Sequence, residues 1–503
     1  MEAEVFSVRS ILEARSGKAE DASTDRLLAW LERTSTAFAL TLTYALLLWY
    51  LRPSLLLSPT ITAGGDTIYH YVAAKYLRDY LLPNGKIVGW MPGNLAGFPL
   101  FLFYFPLTFL LIAGLSFLVP FPVAFKLGTV AGTFALPLAA LLSLRWIGCR
   151  FPVPAIGAIL TLPFLLMTGN SMWGGNLPST LAGEFSHSLS FALVVLFQGV
   201  LYSGVRTRRR AGWCAVLFAV VGFAHGYGMI IAAGLALYFL AVEVNFLGTF
   251  LYLFRVYAIG GLLLGFWLVP LVAYLHYTTG FPLTWDFGSY MEIVPVVLWP
   301  TLAVAVITVA MAWWSKQADK EWLRAVHYLT YPVVLSVTLY FVSPRLNLVD
   351  VRFLAFAQFF LAPLAAVGLG RLLQARQSQL LRLLAAPLIG VLAIAWIAPQ
   401  VSFIPNWIRW NYEGMERKPW WRYYAIVNSI ALTGGPHSPR VVYEHSVLHD
   451  KAGTLRAFEA LPLFSGRPTL EGAYMQSSPS SPFIFYIQSE LTETPSCPFL
   501  PYR

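Results

Sequence analysis

Apolar runs of about twenty residues recur along the chain from residue 36 to residue 402, separated by short polar loops. That length is what a helix needs to cross a hydrocarbon core of ~30 Å. The pattern predicts an all-α polytopic membrane protein of about 11 transmembrane helices. The expected spans are 36–57, 122–144, 152–168, 188–204, 211–223, 227–247, 257–277, 294–314, 326–342, 353–370 and 383–402. One more apolar stretch, 98–119, is long enough to cross but carries Pro99 and Pro106 and crowds Phe and Tyr side chains into its first positions. It is expected to re-enter or lie along the outer face.

Charge decides that point. If 98–119 does not cross, the cytoplasmic segments hold Arg9, Arg15, Lys18, Arg26 and Arg33 before the first span, then Arg145, Arg150, the RTRRR run at 206–210, Arg255 and the cations of 316–324 and 371–382. The outer loops then hold Lys75, Arg78, Lys86, Arg345 and Arg352. A crossing at 98–119 would invert every later loop and put RTRRR outside, against the positive-inside bias. The expected placement is a bacterial inner (cytoplasmic) membrane, multi-pass, with a cytoplasmic N-terminus and an extracytoplasmic C-terminal region.

The composition agrees: 57% of the 503 residues are hydrophobic and 12% charged. The net charge of +10 sits in loops as topology charge, with no basic run interleaved with aromatics, so nucleic acid is not an expected partner. Cys149, Cys214 and Cys497 lie far apart in sequence and suggest neither a disulfide nor a thiolate metal site. Three parts are expected: a cytoplasmic amphipathic segment over 1–35, a transmembrane domain over 36–402, and a small extracytoplasmic α/β region over 403–503, in which RVVYEH (440–445) reads as a strand.

The polar groups that carry chemistry collect in the outward loops. The first loop, TITAGGDTIYHY from residue 59, places Asp66 ahead of a helix and His70 one turn later on the same face. Asp66 is either an N-cap or a base at the mouth of a cavity, and spacing alone favours the cap. GNSMWGGNLPSTLAGEFSHS (169–188) supplies Glu184 and His187, the turn FAHGYG supplies His225, and TGFPLTWDFGSYMEI (279–293) supplies Asp286. SPRLNLVDVRF (343–353) supplies Arg345, Asp350 and Arg352. Each has a plain reading: Glu184 and His187 solvate a helix start, His225 is a satisfied turn residue, Asp350 pairs with Arg352. The outward arginines break the charge bias just before an apolar span, where a guanidinium would hold a phosphate bidentately at headgroup depth. A lesser reading gathers Asp66, Glu184 and His187 around a divalent cation, the one cofactor the pattern admits.

The order of GGDTIYHY, GFPLFLFYFPL, GGNLPSTLAGEFSHSLS and a late VRFLAF resembles the GT-C class of glycosyltransferases that use polyprenyl-phosphate sugars. With YEGMERKPWW and LPLFSGRPTLEGAYMQSS in the tail, it is more closely similar to bacterial membrane proteins labelled 6-pyruvoyl-tetrahydropterin synthase-related. The pterin wording carries no chemistry here, because a multi-span apolar chain has neither that soluble framework nor clustered histidines for its zinc. The resemblance implies sugar transfer from a polyprenyl-phosphate donor on the extracytoplasmic side, with Asp66 as base, His70 and Glu184 beside it, and Arg352 and Arg345 holding the lipid phosphate. His187, His225 and Asp286 would line the substrate site. The implied partners are a polyprenyl-phosphate-linked sugar, membrane lipids and an acceptor glycan, lipid or protein. The second loop lacks the paired acids of metal-dependent members.

A transporter or non-catalytic lipid-handling protein using the same outer cavity is the alternative, since polar groups within apolar spans also mark substrate pathways. The topology predicts that Cys497 is labelled by an impermeant thiol reagent in intact cells; protection that persists in intact cells and is lost on permeabilisation would invert it.

Overall fold

The computed structural model of the chain describes residues 2–280, 284–314, 319–376, 378–434 and 437–492; Cys497 lies outside them. Among these residues eight helices are long and apolar enough to cross a bilayer: Asp25–Leu51, Phe121–Ile147, Phe185–Thr207, Phe246–Ala273, Val296–Trp314, Lys320–Leu346, Val351–Ala375 and Gln379–Gln400. Three shorter apolar helices, Val153–Leu165, Ala211–Ala224 and Gly226–Val242, fall on the remaining predicted spans. Helix is what this composition requires, because backbone groups in hydrocarbon find partners only within their own segment.

The helices Phe121–Ile147 and Phe185–Thr207 pack along each other at the centre. Small residues allow it: a Cβ on Gly132 would stand 2.4 Å from the Leu189 nitrogen, and one on Gly199 would stand 2.5 Å from the Ser143 Cα. Around them Phe164, Phe191, Phe356 and Phe359 fill the interior, with Phe191 stacked on Phe356 at 4.1 Å.

Two predicted boundaries shift. The first span ends at Leu51 rather than 57, because Arg52 turns left-handed (φ 50°) and Pro53 starts a new short helix. Arg255, read as a loop cation, lies inside Phe246–Ala273. The real turn is set by Asn245, whose side chain accepts from the Gly248 amide at 2.9 Å and caps that helix. A lone arginine was the wrong marker; the cap was the right one.

The stretch expected to re-enter does not cross. It opens with the strand Phe98–Leu100, paired antiparallel with Gly89–Met91, and continues as a helix over Leu107–Leu115. Nine residues span only about 14 Å. Trp267 fastens the turn between them, its indole donating to the Phe101 carbonyl at 2.7 Å.

A second apolar core lies beside the helical bundle. Ile68, Tyr69, Phe98 and Phe109 of the first loop pack there with Tyr424, Phe458, Leu461 and Tyr474 from beyond residue 402. That later region holds the helices Ile404–Tyr412, Trp421–Leu432 and Ser481–Leu491. RVVYEH contributes a single parallel bridge, Val441 to Thr469, rather than a full strand. Pro439 and Pro468 both precede the bridge and supply no N–H, so the ladder cannot extend in that direction.

Lys126 ties the two cores together. Its ammonium is buried and donates to the carbonyls of Leu55, Ser58 and Tyr412 at 2.8 to 3.0 Å, and to the hydroxyls of Ser58 and Thr60 at 2.7 Å. It joins the end of the first span to the helix that follows the last one. Lys126→Met keeps the stem and orphans these acceptors, so it should destabilise the protein by on the order of 3 kcal/mol. A thermal melt of the purified variant checks this, and an unchanged Tm would show that water replaces the ammonium without loss.

Candidate functional site

The GGD turn is stitched to two other parts of the chain. Gly64 N–H donates to the Gly453 carbonyl at 2.9 Å, and Asp66 N–H to the Ala182 carbonyl at 2.8 Å. The Thr454 hydroxyl donates to the Gly65 carbonyl at 2.7 Å. Gly64 and Gly65 both have positive φ, 84° and 47°, a conformation that glycine reaches without a Cβ clash. The turn thereby aims Asp66 at the place where the first loop, the second loop and the C-terminal region meet.

Asp66 stands at the N-cap position of the helix Thr67–Tyr76, but its side chain makes no cap hydrogen bond. Its carboxylate instead pairs with the Arg456 guanidinium, Nε to Oδ1 at 2.7 Å, so the capping expectation is corrected. A side chain in reach of a guanidinium gains a charged partner that helix amides do not offer. Arg456 also donates to Glu459 at 2.6 Å. Glu459 is wholly buried, and burial pushes its carboxyl up to about 7 against the pull of Arg456.

Glu184 takes the other guanidinium. Arg352 donates to it through both terminal nitrogens, Nη1 to Oε2 at 2.8 Å and Nη2 to Oε1. Both side chains are more than four-fifths buried. Burial pushes the Glu184 carboxyl upward, with Arg352 pulling it back. The expected Asp350–Arg352 pairing does not occur, since Asp350 accepts from the Val351 amide at 2.6 Å and from the Trp285 amide at 3.2 Å. Arg352 also lies over the Tyr227 ring, 5.3 Å from its centre. Its Nε has no hydrogen-bond partner among the described residues.

Gly183 explains how the two pairs come close. Its φ is 125°, and a Cβ there would stand 2.9 Å from the Asp66 Cβ and 3.3 Å from the His70 ring. His70 Nδ1 lies 2.7 Å from the Tyr474 hydroxyl, and its ring packs on Phe185 and Tyr104. His187 is fully buried with neither ring nitrogen partnered among the described residues, and its ring stacks on His225 at 4.7 Å. His225 Nδ1 accepts from the Tyr227 amide at 3.4 Å.

Six residues singled out from sequence are thus gathered: Asp66, His70, Glu184, His187, His225 and Arg352. Arg345 and Asp286 are exposed and share no ion pair or hydrogen bond with them. The cation reading of Asp66, Glu184 and His187 fails on their surroundings. Each carboxylate is already taken by a guanidinium, and among the described residues no three His, Cys, Asp or Glu side chains are grouped to hold a metal ion. Arg456, Glu459 and Tyr474 were missed. The only trace of the first two was an Arg and a Glu three apart in LRAFEA, a spacing too common to single out.

A shallow groove of about 470 Å³ lies against the GGD turn, lined by Gly64 and Gly65 with Asn406, Trp407, Trp410 and Asp450, and Asp66 is not among its lining residues. The apolar spans and their bundle define a polytopic membrane protein. Residues 101–410, more than half of the chain, match the family described as 6-pyruvoyl-tetrahydropterin synthase related domain, membrane protein, and the chain belongs to that family. Residues 426–502 match a domain of unknown function.

Among solved structures, the arabinofuranosyltransferase AftD from mycobacteria aligns at 15% identity with a TM-score of 0.52, covering 92% of this chain and 34% of that one. The Archaeoglobus fulgidus oligosaccharyltransferase in its apo form aligns at 11% identity with a TM-score of 0.48, over 89% of this chain and 65% of that one. The archaeal oligosaccharyltransferase AglB from the same organism, in complex with an inhibitory peptide and a dolichol-phosphate, aligns at 11% identity with a TM-score of 0.49, over 95% and 72%. The chain therefore spans about a third of the arabinofuranosyltransferase and just under two thirds of the apo oligosaccharyltransferase. At 15% identity the likeness to the arabinofuranosyltransferase is one of fold alone. No curated protein matches the sequence.

Burial pushes the His70 imidazole down to about 4 from 6.5, with Asp66 pulling it up and Arg456 pushing it further down. Between pH 6.5 and 4 the unfolded chain takes up a proton that the folded chain refuses. The stability that neutral His70 contributes is therefore full above pH 6.5 and is lost as pH falls toward 4. His70→Asn keeps an acceptor for Tyr474 and removes the titration, so its melting temperature should fall less than that of the wild type across this range; parallel curves would contradict the burial argument.

Proposed function

We propose that this protein is a membrane glycosyltransferase that moves a sugar from a polyprenyl-phosphate donor to an acceptor on the extracytoplasmic side. One observation carries the reading: a reachable carboxylate, Asp66, pairs with the Arg456 guanidinium, and a second acid–guanidinium pair, Glu184 with Arg352, lies close enough to feel the Asp66 charge. A sugar phosphate needs a base at the acceptor hydroxyl and cations at the departing phosphate, and these are the groups brought together.

In this reading the acceptor oxygen attacks the anomeric carbon while Asp66 takes its proton. The bond from that carbon to the phosphate oxygen breaks on the opposite face, and configuration inverts. Arg352 receives the developing phosphate charge as a phosphate oxygen takes the place of Glu184 at its terminal nitrogens. Arg456 is a positioning residue that holds the Asp66 carboxylate in place. His70, neutral above pH 6.5, holds the aromatic wall with Tyr474 and Tyr104 rather than exchanging protons. His187 and His225 form the floor beneath Arg352 and Tyr227. Arg345 and Asp286, exposed on their loops, meet the substrate only at the entrance. The reading rests on carboxylate and guanidinium chemistry, and no step is routed through a metal.

The test is incubation of purified protein with a panel of radiolabelled polyprenyl-phosphate sugars, scoring release or transfer. Asp66→Asn should lower turnover by about 10²- to 10⁴-fold, the usual range of general-base catalysis, with the melt unchanged. A folded, fully active Asp66→Asn enzyme removes Asp66 from the role, and a wild type inert toward every donor removes the reaction.

A further inference from the structure

The helix Thr67–Tyr76 has Asp66 at its start and a second groove at its end, about 15 Å along its axis. That groove holds about 580 Å³ between the first loop and the C-terminal region. Lys75, Tyr76, Asp79 and Tyr80 line one side, and Arg440 and Pro462 the other. Its walls belong to segments that share one apolar core, so the groove is preformed rather than assembled by a moving loop.

Its chemistry is mixed in a particular way. Tyr76 and Tyr80 stack at 4.9 Å, and the Tyr76 hydroxyl is fixed by donating to the Trp90 carbonyl at 2.9 Å. Tyr80 remains 55% exposed although one ring face is taken, which leaves the other face open. Residues 77–81 form a π-helical turn, an uncommon conformation that moves Asp79 and Tyr80 out of the ordinary helical register. Asp79 is neutralised by Lys75 and Arg78, each at 2.5 Å. Across the groove, Nη1 of Arg440 is buried without a partner among the described residues.

This combination selects among occupants. A lipid tail would need a dry apolar channel, which Lys75, Asp79 and Arg440 deny it. Nucleic acid would need clustered cations, and Asp79 cancels those on its side. A sugar ring offers C–H faces that lie on an aromatic ring and hydroxyls that need donors and acceptors close together. We propose that this groove is a glycan-binding site, holding the part of an acceptor chain away from the reacting end, which lies at Asp66. The glycan class of the acceptor deepens the transferase reading and rests on it, whereas the groove's affinity for a glycan does not.

The experiment titrates the full chain in nanodiscs with a panel of soluble hexose and pentose oligosaccharides, neutral and uronate, and with a control peptide pool. Saturable binding of at least one oligosaccharide is expected. Tyr80→Ala and Arg440→Gln should each weaken it by about tenfold with little change in Tm, since Tyr80 is exposed and Arg440 only part-buried. Asp66→Asn should bind as the wild type does while failing to transfer. No binding at millimolar concentration, binding indifferent to both groove substitutions, or the same Tyr80 dependence with the peptide pool instead would each overturn the proposal. If no donor sugar is turned over and groove binding persists, the transferase reading fails and the glycan site stands.

Discussion

Charged side chains at the boundary of an apolar bundle must be paired, and the end of the bundle that carries the GGD turn is organised around that demand. Arg352 opens one late membrane helix, Glu184 stands at the head of a central one, Asp66 follows the first, and Arg456 comes from beyond the last. Removing Glu184 or Arg352 from its partner would leave a largely desolvated charge, which is far more costly than the loss of an exposed ion pair. The pairs therefore fix where four distant segments sit relative to one another. Apolar packing alone would leave that register loose, because lipid tails are as apolar as the side chains they compete with.

Lys126 does the same work one layer away. Its five acceptors come from the end of the first span and from the helix after the final span, so the chain's two ends of the membrane domain are held against one ammonium. The consequence is a first loop that cannot move independently of the C-terminal region. Both contribute to one apolar core, and the GGD turn is bonded to Gly453 and Thr454 as firmly as to Ala182. A site built from residues so far apart in sequence becomes rigid through these contacts.

What could be read from the chain follows from the range of the physics involved. Span number and the non-crossing stretch were legible because apolar length and the placement of cations act locally along the sequence. Arg255 misled the boundary of one span because a single cation marks a loop far less reliably than the Asn245 cap does. The gathering of Asp66, Glu184 and Arg352 was anticipated from their loops, but their pairing was not. Asp66 looks like a cap in GGDTIYHY until Arg456 is brought to it from about 390 residues away. Nothing in local pattern encodes that contact, and the same holds for Tyr474 against His70. RVVYEH has strand composition, yet it forms one bridge, with Pro439 and Pro468 stopping the ladder on its N-terminal side.

The three carboxylates of the site differ in exposure, and in the proposed transferase that difference would divide their work. The Asp66 side chain is 42% exposed, that of Glu184 18%, and that of Glu459 is closed off entirely. A base must be reached by the hydroxyl it deprotonates, so Glu459 is excluded and Glu184 is reachable only if Arg352 turns away. The two buried acids act instead on the guanidinium groups, holding Arg456 against Asp66 and Arg352 beneath the space where a phosphate would arrive. Burial makes both of them easier to protonate, and each protonation would release charge on an arginine that an anionic ligand could then claim. In the proposed transferase Asp66 is then the one acid of the three with room to accept a proton from something outside the protein.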